Sequence, residues 1–206
     1  EYPETFSDAK HLLYSAAIQQ DAKDSQFPSG QFPQIYEASL DGGRPVLYSS
    51  LAMECLALNK QGDKLLYQDK KGYEDPWRKH HQSSITRDIW LCTLGPERTF
   101  QKITSFKGED RNPVWTADGS SFYLSEEKGS FNIFKNDLTG KNSRQVTNHT
   151  THPVRFLTSD NSGNLCYGYD GGIYTVKEGA QPKKVDVRII SDKVENDLIH
   201  QLKTSG

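Results

Sequence analysis

The densest concentration of chemistry-bearing side chains is the run Trp77-Arg78-Lys79-His80-His81-Gln82-Ser83-Ser84, which leads into Thr86-Arg87-Asp88. A guanidinium grips a carboxylate through two parallel hydrogen bonds, and adjacent histidines add positive charge at mildly acidic pH. That chemistry suits a peptide carboxylate, with Arg78, Lys79, His80, His81 and Arg87 as the candidate contacts. The competing reading has these side chains pairing with Glu74, Asp75 and Asp88 and simply ordering a long loop. Ser83, Ser84, His81 and Asp88 are the ingredients of a nucleophilic triad, but crowding in sequence is not mutual geometry, and the chain holds no Gly-x-Ser-x-Gly elbow. No catalytic residue is therefore assigned.

Metal and cofactor chemistry find weaker support. His80-His81, or His149 and His152 with Asp160, are the available ligand sets. Adjacent histidines diverge on extended backbone, and His149-x-x-His152 lacks a third close ligand, so no metal is expected. Gly42-Gly43 and Gly171-Gly172 read as turns rather than a phosphate cradle, and no cofactor is expected. Asp69, Glu74 and Asp75 form the nearest carboxylate cluster for glycosidic chemistry, yet they stand beside basic residues that they neutralise. Cys55, Cys92 and Cys166 sit inside apolar segments and read as small buried hydrophobes; a Cys55–Cys92 disulfide or a reactive thiol is the alternative. Asn148-His149-Thr150 fits a glycosylation acceptor, relevant only to a eukaryotic secretory route.

The elements that position these groups follow from composition and period. The 206 residues carry 25 basic and 27 acidic side chains, a balance that excludes a polybasic nucleic-acid binder. Apolar runs reach only four or five residues, as in Ile89-Trp90-Leu91-Cys92, far short of the roughly 20 that a spanning helix needs. Glu1 opens the chain without an initiator Met or a charged-then-apolar leader, so a signal segment is either already removed or lies upstream of an excised fragment. With 34% hydrophobic residues but 11% aromatic, burial must lean on Tyr, Phe and Trp, which favours layered sheets.

A repeat organises the chain. Its clearest copy runs Arg111-Asn112-Pro113-Val114-Trp115-Thr116-Ala117-Asp118-Gly119, Ser121 to Ser125, Asn132 to Gly140 and Gln145-Val146-Thr147. The grammar is strand, tight turn, strand, loop, strand, Gly turn, strand; Asp118-Gly119 is a strong hairpin signal because Gly supplies the positive φ and Asp tolerates it. The pattern recurs from His152 to Val176, from Cys55 to Thr104 with a long insertion near residues 69–88, and from Pro3 to Gly43. From Trp115 to Phe156 the period is 41 residues. Four short strands per such period predict an all-β propeller portion, with about four blades of four antiparallel strands each in an incomplete ring. The single domain 1–206 then divides near residues 1–47, 48–104, 105–147 and 148–187, with 188–206 a linker or the start of another blade. Helical spacing competes at Asp8 to Ala17 and at Val194 to Leu202; at the first the repeat overrides it, because Leu12-Leu13-Tyr14 matches Leu65-Leu66-Tyr67.

At Pro113-x-Trp115-x-x-Asp118-Gly119 and Asn132-Ile133-Phe134, the repeat resembles the WD40-like Pro-Asp repeat of TolB-type propellers and tricorn protease. It departs in Thr116-Ala117, where that repeat usually has Ser-Pro, in Ala9 and in Asn161-Ser162. The stretches Glu74 to Asp88, Gly108 to Trp115 and His152 to Asp170 resemble the amino-terminal propeller of tricorn-like serine peptidases. The resemblance implies a non-catalytic scaffold and peptide-access element, whose partners are peptides, further blades and a catalytic domain that lies outside these residues. It implies a periplasmic or secreted home, with the cytoplasm the alternative. A stand-alone TolB-type module for protein–protein interaction is the second reading. Whichever holds, a ring left open exposes strand edges and wedge faces, so an isolated fragment is expected to be marginal or to associate.

Overall fold

The computed structural model describes residues 2–17, 33–73, 75, 77–160 and 162–190. Among them every regular element is a strand, and the strands form four four-stranded antiparallel meanders arranged as an unclosed propeller. The first blade comprises β1 (Tyr2–Phe6), β2 (His11–Ala16), β3 (Gln34–Ser39) and β4 (Val46–Ser49). The second comprises β5 (Met53–Leu58), β6 (Lys64–Asp69), β7 (Ile89–Thr93) and β8 (Thr99–Lys102). The third comprises β9 (Asp110–Trp115), β10 (Ser121–Ser125), β11 (Asn132–Asn136) and β12 (Ser143–Gln145). The fourth comprises β13 (Arg155–Ser159), β14 (Leu165–Tyr169), β15 (Gly172–Val176) and β16 (Lys183–Lys184). The segment with helical spacing from Asp8 is a turn followed by β2, while Val194 to Leu202 lies outside the described residues.

The turn between the first two strands of each blade is closed by a short polar side chain that accepts backbone N–H groups, an Asx device. Asp118 accepts from Ser120 N, Asn59 from Asp63 N and Lys64 N, Asp160 from Ser162 N and Asn164 N, and Asp8 from Lys10 N and His11 N. Gly119 adopts φ 83°, which the turn demands and a β-branched residue would resist. In the first blade the turn across Ala9 has no glycine and is held by Asp8 together with Ser7 N, which donates to His11 O at 2.9 Å.

Alternation along the second strand of a blade sends successive side chains to opposite neighbours. Leu65 and Tyr67 join Leu13, Ile35, Met53, Leu56 and Cys92 between blades one and two. Leu66 joins Ile89, Leu91, Ile103, Trp115, Tyr123 and Phe134 between blades two and three. Phe122 and Leu124 join Ile133, Val154, Leu157, Leu165, Tyr167 and Val176 between blades three and four. These wedges are the hydrophobic core, so each blade buries its apolar faces against its neighbours. Trp115 also ties three blades by polar contacts: its Nε1 donates to Ala57 O at 2.9 Å, and its carbonyl accepts from the Ser159 hydroxyl.

The innermost strands β1, β5, β9 and β13 each carry one extra residue relative to their partners, a β-bulge that increases twist. Cys55, Asn112 and Phe156 occupy the same bulge position and share a left-handed conformation, with φ 53°, 53° and 56°, so Phe156 is the counterpart of Asn112 and not of Trp115, the match on which the 41-residue spacing rests. The bulges bend the strands around an axial cavity of about 510 Å³ lined by Pro3 to Thr5, Cys55 to Leu58, Asn112 to Trp115 and Leu157 to Ser159.

Candidate functional site

The insertion between β6 and β7 stands at the end of the axis where β5, β9 and β13 begin. Its base is pinched shut. Asp88 N donates to Asp69 Oδ1 at 2.8 Å, and Asp69 N to Asp88 O at 3.1 Å. Lys71 Nζ reaches Thr86 O at 2.7 Å, Asp88 Oδ2 at 2.6 Å and Asp69 Oδ2 at 3.3 Å. Burial disfavours that ammonium, but the hydrogen bond to Asp88 and the charge of Asp69 prevail and hold Lys71 above its ordinary value. The indole of Trp90 donates to Asp69 as well.

Beneath the base lies a buried ionic cluster. Arg87 is 7% exposed; its Nε donates to Glu54 Oε2 at 3.1 Å and its Nη1 lies 3.8 Å from Glu109 Oε1. Glu109 is fully buried and accepts from Arg111 Nε at 2.7 Å. Glu54 also takes Gln68 Nε2 and Lys70 Nζ, and against the pull of burial these partners hold its carboxyl below the usual range. Arg87 thus orders the base of the loop from below, and Asp88 binds Lys71 and Lys102 rather than Arg87, while Asp75 accepts from Trp77 N; Glu74 lies outside the described residues.

The tip reaches across the mouth. His80 N donates to Glu126 Oε2 at 2.8 Å in the third blade, and the Trp77 ring lies 5.2 Å from the Arg155 guanidinium, at the start of the inner strand of the fourth. Arg155 is in turn 5.3 Å from the Phe131 ring. Burial and the neighbouring Arg111 hold Arg155 below its ordinary value. Arg78, Lys79 and His80 face solvent, and His81 is half-buried. Of the five sequence-assigned contacts, the structure brings four together at the tip and sinks Arg87 into the base.

Beside the loop, a cavity of about 520 Å³ opens between the first two blades, lined by Tyr2, Ser15, Ala17, Glu54 and Lys70 among others. It shares Pro3, Glu4 and Cys55 with the axial cavity, so the two adjoin at the bulges. Burial raises the Glu4 carboxyl at this junction, opposed by N–H donation from Leu56 and by Ser15.

The other singled-out side chains are dispersed. His149 Nε2 meets the Tyr167 hydroxyl at 2.9 Å and its ring stacks on Tyr169 at 3.8 Å; His152 is 3.4 Å from Asp170, and Asp160 closes its own turn. Ser83 Oγ accepts from Ile85 N, away from the ion pairs of Asp88. All three cysteines are free thiols, Cys92 fully buried, and burial pushes the Cys55 thiol up to about 12. Sequence reasoning missed Glu54, Glu109, Arg111, Glu126 and Arg155; three consecutive charges, Glu109-Asp110-Arg111, at the head of an apolar strand were the available signal.

Residues 10–182 match the family model of the tricorn protease N-terminal β-propeller domain, and the chain belongs to that family. Among curated proteins, a tricorn protease homolog of Saccharolobus solfataricus is 28% identical over 125 residues, 60% of this chain and 11% of that protein. Among solved structures, TolB from Acinetobacter baumannii superposes with a TM-score of 0.64 at 15% identity, covering 89% of this chain and 42% of that one. Tricorn protease superposes with a TM-score of 0.57 at 13% identity, covering 93% of this chain and 23% of that one. The chain therefore spans a small part of the peptidases that it resembles.

Proposed function

We propose that these residues are the non-catalytic propeller of a tricorn-like serine peptidase, serving as scaffold and as an access element for peptides moving toward or away from a catalytic domain outside this chain. One observation carries the reading: a cationic tip is held by a rigid, ion-paired base beside cavities that lead to the axis. Arg78, Lys79, His80 and His81 would hold a peptide carboxylate, and Arg87 would fix the loop that presents them. The exporting relatives of the peptidase class favour the periplasm or the extracellular space, with the cytoplasm the alternative.

Isothermal titration of the chain with short peptides bearing a free or an amidated carboxyl terminus tests this. The free acid should bind more tightly, the preference should fall with salt, and Arg78→Ala with Lys79→Ala should weaken it about tenfold. Equal binding of acid and amide would refute carboxylate recognition. The chain by itself should not hydrolyse these peptides. The likeness to TolB favours, as the second reading, a module for protein–protein interaction; a gene that continues past Gly206 into a serine-peptidase region would exclude it.

A further inference from the structure

The return limb of the insertion, Thr86 to Ile89, is sealed against the segment that leads into the third blade. Thr86 Oγ1 donates to Lys107 O at 3.3 Å, and Asp110 N donates to Arg87 O at 3.1 Å. Ile89 N donates to Thr104 Oγ1 at 3.0 Å, and Ile103 N to Ile89 O at 2.9 Å. Lys102 Nζ adds an ion pair to Asp88 Oδ1 at 3.4 Å. All four limb residues are buried, as are Ile103, Thr104, Glu109 and Asp110 opposite them. The seam thus lies inside the packed junction of the second and third blades, where Ile89, Ile103 and Trp115 share one apolar cluster.

Asp110 is built into this seam. Its main chain helps close it, its side chain is fully buried, and neither carboxyl oxygen meets a partner at full hydrogen-bond geometry among the described residues. The hydroxyls of Thr104 and Ser125 face the carboxyl, yet Thr104 Oγ1 already accepts from Ile89 N, and Ser125 Oγ accepts from Glu127 N at 3.2 Å. The charges that reach it from neighbouring elements have its own sign: Asp88 on the limb and Glu127 beyond β10. The cations nearby are committed to those acids, Lys71 and Lys102 to Asp88 and Lys128 to Glu127. On its own strand Glu109 and Arg111 pair with each other, and Glu109 also faces Arg87. The Tyr123 phenol of β10 is raised by burial and by the charge of Asp110. A carboxylate in such a place is stable only once it is neutralised or reached by water.

We propose that Asp110 is a proton-controlled latch on the return limb of the insertion. With its proton on, the carboxyl is neutral and the seam stays dry. When the proton passes to solvent, the stranded charge and its repulsion from Asp88 are relieved by water entering between residues 86–89 and 104–110. The limb then parts at the Asp110 N to Arg87 O and Ile89 N to Thr104 Oγ1 bonds. Burial sets the working range, because it pushes this carboxyl up to about 7 from the ordinary 3.8. The seam is therefore tightest at acidic pH, and opening becomes easier as pH rises from about 4 to 7. The latch concerns the base of the loop alone and stands whether or not the tip binds carboxylates.

Hydrogen exchange of the Ile89, Ile103 and Asp110 amides, corrected for intrinsic rates and followed by NMR, tests this at about pH 5 and pH 7.5, with and without about 1 M urea. In the wild type, protection of these amides should fall about tenfold or more between the two pH values. At the higher pH their exchange should be nearly indifferent to urea, the mark of a local opening, whereas the amides of β14 should exchange more slowly and respond steeply to urea. Asp110→Asn keeps the shape and cannot ionise, so its seam amides should be equally protected at both pH values. Wild-type protection that does not change with pH, seam amides that follow the urea response of β14, or an Asp110→Asn chain that keeps the wild-type fall would each overturn the proposal. A carboxyl-carbon titration of Asp110 in the wild type needs no variant: a midpoint near neutrality is expected, and one near the ordinary 3.8 would overturn it as well.

Discussion

Asn112 clamps Leu157 across the junction between the third and fourth blades: its Nδ2 donates to Leu157 O and its Oδ1 accepts from Leu157 N, both at 3.0 Å. The clamp replaces, at a bulge, the ladder bonds that the extra residue interrupts. Asn112→Ala removes both bonds and places a Cβ residue less tolerant of the left-handed region at φ 53°. The expected loss is about 2–4 kcal/mol in urea denaturation, with the fourth blade exchanging amide hydrogens first. An unchanged urea midpoint would show that the junction is held by its apolar wedge alone.

Arg87 is buried between Glu54 and Glu109, so removing it takes a cation from both carboxylates and leaves the fully buried Glu109 with Arg111 as its remaining counter-charge. Arg87→Ala should destabilise by about 3–5 kcal/mol and open the 70–88 loop to limited proteolysis. Arg78→Ala, at the solvent-facing tip, should do neither. Equal protease sensitivity of the two variants would mean that the base does not hold the loop.

Asp110 is fully buried at the head of β9, and burial, with Asp88 and Glu127 adding to it against the Ser125 and Thr104 hydroxyls, pushes its carboxyl up to about 7. Because the folded value lies above the ordinary 3.8, the folded state keeps a proton that the unfolded chain has released. Stability from this group is fully present at low pH and is lost as pH rises from about 4 to 7. Asp110→Asn should therefore flatten the pH dependence in that window and stabilise the protein at pH 8 by about 2–4 kcal/mol. Thermal melts between pH 5 and 8 that superpose in slope for both proteins would refute it.

Burial also disfavours the thiolates of Cys55 and Cys92. Alkylation at pH 8 followed by mass spectrometry should label both slowly in the native protein, and all three cysteines rapidly in denaturant. Prompt native labelling of Cys55 would show that the axial cavity opens wider than the bulges indicate.

The strand grammar was legible because each of its parts is local. Asp118-Gly119 makes a turn wherever apolar runs flank it, and the alternation in Leu65-Leu66-Tyr67 sets two faces whatever lies beyond them. The repeat then resolved the ambiguity at Asp8 to Ala17, where helical spacing in one copy yields to a strand pattern shared with the others. The bulges left no such trace: Cys55, Asn112 and Phe156 share a conformation but no chemistry, since the position is imposed by strand curvature about the axis.

The candidate loop divides in the same way. Its charge and its place between two strands are properties of the sequence, and they brought Arg78, Lys79, His80 and His81 to attention together. Which acid each cation meets is not. Arg87 lies one residue from Asp88 in the chain yet pairs with Glu54 and Glu109, because strand ends from two blades converge beneath it. A buried charge takes the partner that shares its low-dielectric site, and only tertiary packing determines which carboxylates share it.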